Sequence, residues 1–107
     1  MNYIKWNMIY NKLVRDKIPE YIISKGGSPI THIADDKEYH QKLLEKLIEE
    51  FEEFKEDENI EEYIDMLEVL EAIAEFKGFK KEEIETYRNK KAEERGRFNE
   101  RIILEEA

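Results

Sequence analysis

The stretch LLEKLIEEFEEFKEDENIEEYIDMLEVLEAIAEF, residues 43 to 76, decides the fold. Leu43, Leu44, Leu47, Ile48, Phe51 and Phe54 recur at the spacing of one helix face, which predicts an amphipathic helix from Lys37 to about Lys55. The polar run KEDEN interrupts it, and a second helix is expected from Ile60 to Phe76, stopped by Gly78. So short a break between two long helices favours an antiparallel hairpin. The second helix is apolar over more than half its circumference, through Ile60, Tyr63, Ile64, Met66, Leu67, Val69, Leu70, Ile73 and Ala74. It should therefore be the central helix, or pack against another subunit.

Outward from the hairpin, Asp35 or Asp36 is placed to cap the first long helix. Before it, SPITHIADD reads as an extended connector, with β-branched residues and Pro29. Lys12 to Lys25 reads as a loop entering a short helix, with Asp16 as the cap, Pro19 in the first turn and Gly26-Gly27 as the stop. Downstream, a third helix is expected over Lys81 to Glu94, capped near Lys80 and ended by Gly96. The tail RFNERIILEEA suits a short strand or an extended arm. The expected architecture is all-α, with extended segments near 29–34 and 98–104, in a single domain over residues 1–107.

Composition narrows the function. The chain of 107 residues is 42% charged and carries a formal charge of -9, a balance opposite to the basic field of nucleic-acid-coating proteins. A small phosphorylated ligand held by a local Lys and Arg cluster stays compatible with it. The lack of cysteine excludes disulfides, thiolate metal sites and cysteine nucleophiles. No run approaches the roughly 20 apolar residues of a membrane span, so a cytoplasmic protein without a membrane partner is expected.

Ten of the seventeen residues from Glu49 to Asp65 are carboxylates. Glu50 and Glu53, three apart, share one side of their helix, and Glu62 and Asp65 repeat the spacing on the next. An antiparallel pairing can set the two pairs face to face at the hairpin end. Four partly buried carboxylates would repel one another strongly unless they protonate or bind a cation. Hard oxygen donors suit Mg²⁺ or Mn²⁺. The competing reading is a heavily charged two-helix hairpin with solvated faces, serving as an interaction module.

EEFEE at Glu49 to Glu53 and EYID at Glu62 to Asp65 resemble the E-E-x-x-E and E-x-x-D motifs of the MazG-like, all-α nucleoside triphosphate pyrophosphohydrolases. YNKLVRDKIPEYI at Tyr10 to Ile22, LLEKLIEEFEEF at Leu43 to Phe54, EEYIDMLEVLEAI at Glu61 to Ile73 and KAEERGRFNERIIL at Lys91 to Leu104 resemble, in that order, a small-protein branch of the superfamily. That branch is described as phosphoribosyl-ATP pyrophosphohydrolase-like or as house-cleaning pyrophosphatases. Arg97 stands where the branch often has a small residue.

The resemblance implies a helical bundle, dimeric or tetrameric, that cleaves a nucleotide between its α and β phosphates. It implies metal ligands at Glu50, Glu53, Glu62 and Asp65, with Glu49 binding a second ion or orienting water. Mg²⁺ is the implied cofactor, with Mn²⁺ as a substitute, and Glu49, Glu50 and Glu53 form the implied catalytic group. Arg15, Lys91 and Arg95 are the leading phosphate contacts, followed by Lys12, Lys17 and Arg97. Two alternatives stand beside this reading. One is a non-catalytic module that binds nucleotide, metal or a helical partner, and the other is phosphoribosyl-ATP hydrolysis in histidine synthesis.

The remaining candidates read as structural. His32 and His40 lack a partner at ligand spacing and suit a surface or packing role. Trp6 and Tyr10 suit a core or an interface more than base stacking. Gly26-Gly27 lacks the pattern of a phosphate loop.

Overall fold

A computed structural model of the chain describes residues 8–107. Four helices follow one another: α1 (Ile18–Ser24), α2 (Asp36–Glu56), α3 (Ile60–Lys77) and α4 (Lys81–Arg95). There is no strand among the described residues, and the protein is all-α. The chain divides into two compact units, one ending at Ile73, inside α3, and the other spanning Ala74–Ala107.

Local chemistry accounts for most helix ends. Asp35, in extended backbone, accepts a hydrogen bond from the Glu38 amide at 2.9 Å and caps α2. Asn59 does the same for α3, taking the Glu62 amide at 2.9 Å. Asn59 is a cap that the acidic run conceals in the sequence. At α4, Lys80 has no side-chain acceptor to offer, so only the return bond forms, from its own amide to Glu83. The cap expected from Asp16 does not form: the residue before α1 is Lys17, without any side-chain cap bond. Pro19 in the first turn supplies a pre-set φ instead. Gly26, at φ 86°, closes α1 with its amide on the Ile23 carbonyl. Such a left-handed turn disfavours any residue with a Cβ.

The hairpin is the frame of the first unit. Leu43 and Val69 are its buried apolar residues, and Glu50 is buried with them. At about 100° per residue, Leu43, Leu47, Glu50 and Phe54 share a sector of roughly 60° on α2, whereas Leu44, Ile48 and Phe51 lie on the next sector round. Only the first sector turns inward. Leu44, Ile48 and Phe51 are 45%, 64% and 49% exposed. Glu50 therefore sits inside the packed sector, a depth that the full apolar stripe does not reveal. The wide arc of α3 is also only partly covered, since Val69 is buried while Tyr63, Ile64, Leu67 and Leu70 are exposed.

In the second unit α4 has no buried residue. After Gly96 the chain makes a turn at residues 98–100, and residues 101–107 are irregular. The strand or arm anticipated near 98–104 is not a strand, because a ladder needs a partner and no second strand exists among the described residues. The connector at 29–34 likewise carries no regular structure.

Candidate metal centre

The hairpin brings the acidic residues of α2 and α3 together. Glu49, Glu50 and Glu53 each offer an oxygen within 4.8 Å of the others, and so do Glu50, Glu62 and Asp65. The four anticipated ligands thus form two overlapping triads, which include Glu49 and share Glu50. Their helical positions produce this: 49, 50 and 53 lie along one side of α2, and 62 and 65 are one turn apart on α3. Glu62 also lies in the first turn of α3, where the helix dipole favours a negative charge.

Burial differs sharply within the cluster. Glu50 is 6% exposed, Glu49, Glu62 and Asp65 are half-buried, and Glu53 is exposed. The Oε2 atoms of Glu50 and Glu62 are buried and accept no hydrogen bond from the protein. An unsatisfied buried carboxylate oxygen is costly, and two of them in one cluster form an arrangement that a cation would complete.

Three basic side chains already partly neutralise the cluster. Lys46 Nζ lies 3.0 Å from Glu50 Oε1 and 3.4 Å from Glu49 Oε2. Lys12 Nζ reaches Glu49 Oε1 at 2.7 Å, and Arg15 reaches Asp65 Oδ1 at 2.7 Å. Counted formally, five carboxylates facing three cations leave an excess of two negative charges, which one divalent cation would balance. Sequence reasoning missed Lys46. Its signal was the spacing of three and four residues to Glu49 and Glu50, in the order, Lys before Glu, that a helix favours less.

The local electrostatics follow from these contacts. Burial works to raise the Glu49 pKa, but the hydrogen bond from Lys12 and the charges of Lys46 and Lys12 outweigh it and hold the group below the usual carboxylate range. Glu53 is pushed upward, first by burial and then by the charges of Glu50, Glu62 and Glu49. The hydrogen bond to Glu49, opposed by some desolvation, raises the Lys12 ammonium above its ordinary value.

Lys12 and Arg15 also line a cleft of about 260 Å³ with Val14, Ile18, Lys46, Glu50 and Asp65. The segment bearing them is fastened to α2 by Lys42, whose Nζ donates to the Asn11 carbonyl at 2.6 Å. A second depression of about 340 Å³, lined by Ile60, Glu61 and Ile64, shares Asp65 with this cleft.

Other candidates lie elsewhere. Lys91, Arg95 and Arg97 belong to the second unit, where all three are exposed. Lys17 is exposed beside α1. His32 is a surface residue paired with Glu38 at 2.9 Å, and His40 is half-buried on α2. Tyr10 is exposed, with Lys12 over its ring, whereas Trp6 lies outside the described residues. Among the described residues, no helix is long and apolar enough to cross a membrane. No family model, curated protein or solved structure matches the chain.

Proposed function

We propose that the protein is a metal-dependent nucleoside triphosphate pyrophosphohydrolase of the MazG-like type that its acidic motifs resemble. The observation carrying this reading is the buried carboxylate Glu50, shared by two triads and left with an unpartnered oxygen. An all-oxygen donor set with excess negative charge fits Mg²⁺ or Mn²⁺. Glu50, Glu53, Glu62 and Asp65 would hold the ion. Bound there, a divalent cation would neutralise phosphate charge and make its water more acidic.

The chain's own residues supply the rest. Glu49, grouped with Glu50 and Glu53 and lying beside the part-buried Lys46, is the candidate to bind a second ion or to orient the attacking water and accept its proton. Lys12 and Arg15, which line a cleft together with Glu50 and Asp65, are suited to phosphate oxygens. The water oxygen bonds to the α-phosphorus while the bond to the β-phosphate breaks, yielding nucleoside monophosphate and pyrophosphate. A house-cleaning role on noncanonical nucleotides in the cytoplasm follows the branch that the N-terminal block resembles. The exposed Leu44, Ile48 and Phe51 sector and the open arc of α3 support assembly as a dimer or tetramer.

The test is pyrophosphate release from a panel of ordinary and modified nucleoside triphosphates and phosphoribosyl-ATP, with Mg²⁺, with Mn²⁺ and with chelator. Metal-dependent release of pyrophosphate with monophosphate is expected, and the best substrate names the biological task. Silence across the panel from folded, Mn²⁺-binding protein would instead indicate a nucleotide- or metal-binding module.

A further inference from the structure

Lys12 and Arg15 make contacts that are difficult to reconcile with a purely phosphate-binding role. Each is spent on a candidate metal ligand, Lys12 on Glu49 and Arg15 on Asp65, both at 2.7 Å. Each also lines the cleft into which Glu50, more than nine-tenths buried and with an unpartnered oxygen, is built. The three basic residues are not equivalent. The Lys46 side chain is 15% exposed and lies against two carboxylates, whereas those of Lys12 and Arg15 are 40% and 53% exposed and each make one ion pair to the cluster. Exposed single ion pairs are weak and easily exchanged. A guanidinium cannot give up its charge when its carboxylate is taken, so it must find another anion.

We propose that Lys12 and Arg15 form a metal-released latch. Without a divalent cation they neutralise Glu49 and Asp65, and once it binds they turn to the phosphates of a nucleoside di- or triphosphate. Metal and polyphosphate then bind with positive coupling, each raising affinity for the other by the same factor. The latch rests on the metal-centre reading above. It adds that cationic residues near the site weaken metal binding while strengthening phosphate binding.

That opposition of signs is the test. Titration calorimetry with Mn²⁺ alone compares the wild type with Arg15→Gln, Lys12→Gln and Arg15→Lys. A second titration uses inorganic triphosphate at saturating Mn²⁺. Arg15→Gln and Lys12→Gln are expected to bind Mn²⁺ about fivefold more tightly, because a competing counterion is gone. They are expected to bind triphosphate about tenfold more weakly, for loss of a charge-assisted contact. Arg15→Lys, which keeps the charge, should retain wild-type Mn²⁺ affinity. Circular dichroism verifies that all three stay helical, which exposed positions permit. Unchanged or weaker Mn²⁺ binding in Arg15→Gln, or unchanged triphosphate binding, overturns the latch alone. Failure of the wild type to bind Mn²⁺ overturns the metal centre and the latch with it.

Discussion

Helices α2 and α4 are both rich in glutamate, and they put it to different use. Every glutamate of α4 is exposed, at Glu82, Glu83, Glu85, Glu93 and Glu94, and the helix buries nothing. On α2, Glu50 lies in the same sector as Leu43, is 6% exposed, and joins both triads. Acidic composition alone therefore does not make a site. What distinguishes the two helices is whether the apolar pattern rotates a carboxylate into the packed side.

The largest expected effect sharpens this difference at the level of chemistry. Glu50→Gln should lower pyrophosphate release by at least about a hundredfold, as loss of one preorganised charged group at a reacting centre does. Glu85→Gln on α4 should leave it unchanged. Urea unfolding without metal should show Glu50→Gln as stable as the wild type or more so, because one of several like charges is removed and Lys46 keeps an acceptor. A large loss of stability would instead make Glu50 a structural residue.

Next in size is packing. Leu43, 1% exposed, is the most completely buried side chain described, and Leu43→Ala should cost about 2 to 5 kcal/mol by urea denaturation. Tyr87 on α4, 69% exposed, should tolerate alanine within about 0.5 kcal/mol. A cost at Tyr87 comparable to that at Leu43 would mean that α4 has a covered face in solution.

Titration separates residues within the triads. Glu53 has a raised pKa, so the folded state holds its proton more tightly than the unfolded chain. Its contribution favours folding below the ordinary carboxyl range near 4.5 and is lost as pH rises through the elevated value. Glu49 is lowered and behaves oppositely, stabilising above that range and losing this as pH falls through its depressed value. Melting temperature against pH should therefore lose a falling component in Glu53→Gln and a rising component in Glu49→Gln. Parallel profiles for the two variants would contradict the charge arrangement.

The smallest effect belongs to the ordinary ion pairs. Lys55 and Glu52, 3.5 Å apart with side chains 58% and 60% exposed, are worth little, and Lys55→Ala should shift stability by no more than about 0.5 kcal/mol. A larger shift would indicate that outward pairs contribute more to this hairpin than their exposure allows.

Much of the fold was legible because helical periodicity is a local signal. The expected spans from Lys37 to about Lys55, from Ile60 to Phe76 and from Lys81 to Glu94 each end within one residue of α2, α3 and α4. What escaped depends on tertiary choice. An apolar stripe containing Leu43, Leu44, Leu47, Ile48, Phe51 and Phe54 does not say which half turns inward, so the depth of Glu50 was hidden. The acidic pairs at 50/53 and 62/65 could be read from spacing, and across the hairpin the structure sets oxygens of Glu50, Glu62 and Asp65 within 4.8 Å of one another, whereas Glu53 groups with Glu49 and Glu50 on α2. Lys46 was overlooked because a lysine among glutamates reads as a solvated ion pair until burial distinguishes it. The Asn59 cap was hidden in a run where Asp57 offers an equally plausible cap, and of the two readings of the tail the strand fell away because β-branched residues do not reveal whether a strand lies beside them.

The contact between Lys42 and the Asn11 carbonyl uses no carboxylate of the cluster, and Asn11 is the residue immediately before Lys12. The N-terminal segment is thus a tether whose anchor is chemically independent of the groups it serves. A cation leaving Glu49 or Asp65 stays confined near them, at an effective concentration of at least the millimolar order typical of short flexible links. Its return is then a short chain closure, on a scale of about 10 to 100 ns, instead of a diffusive encounter. The partner exchange proposed for Lys12 and Arg15 would therefore proceed without the segment having to find its place again.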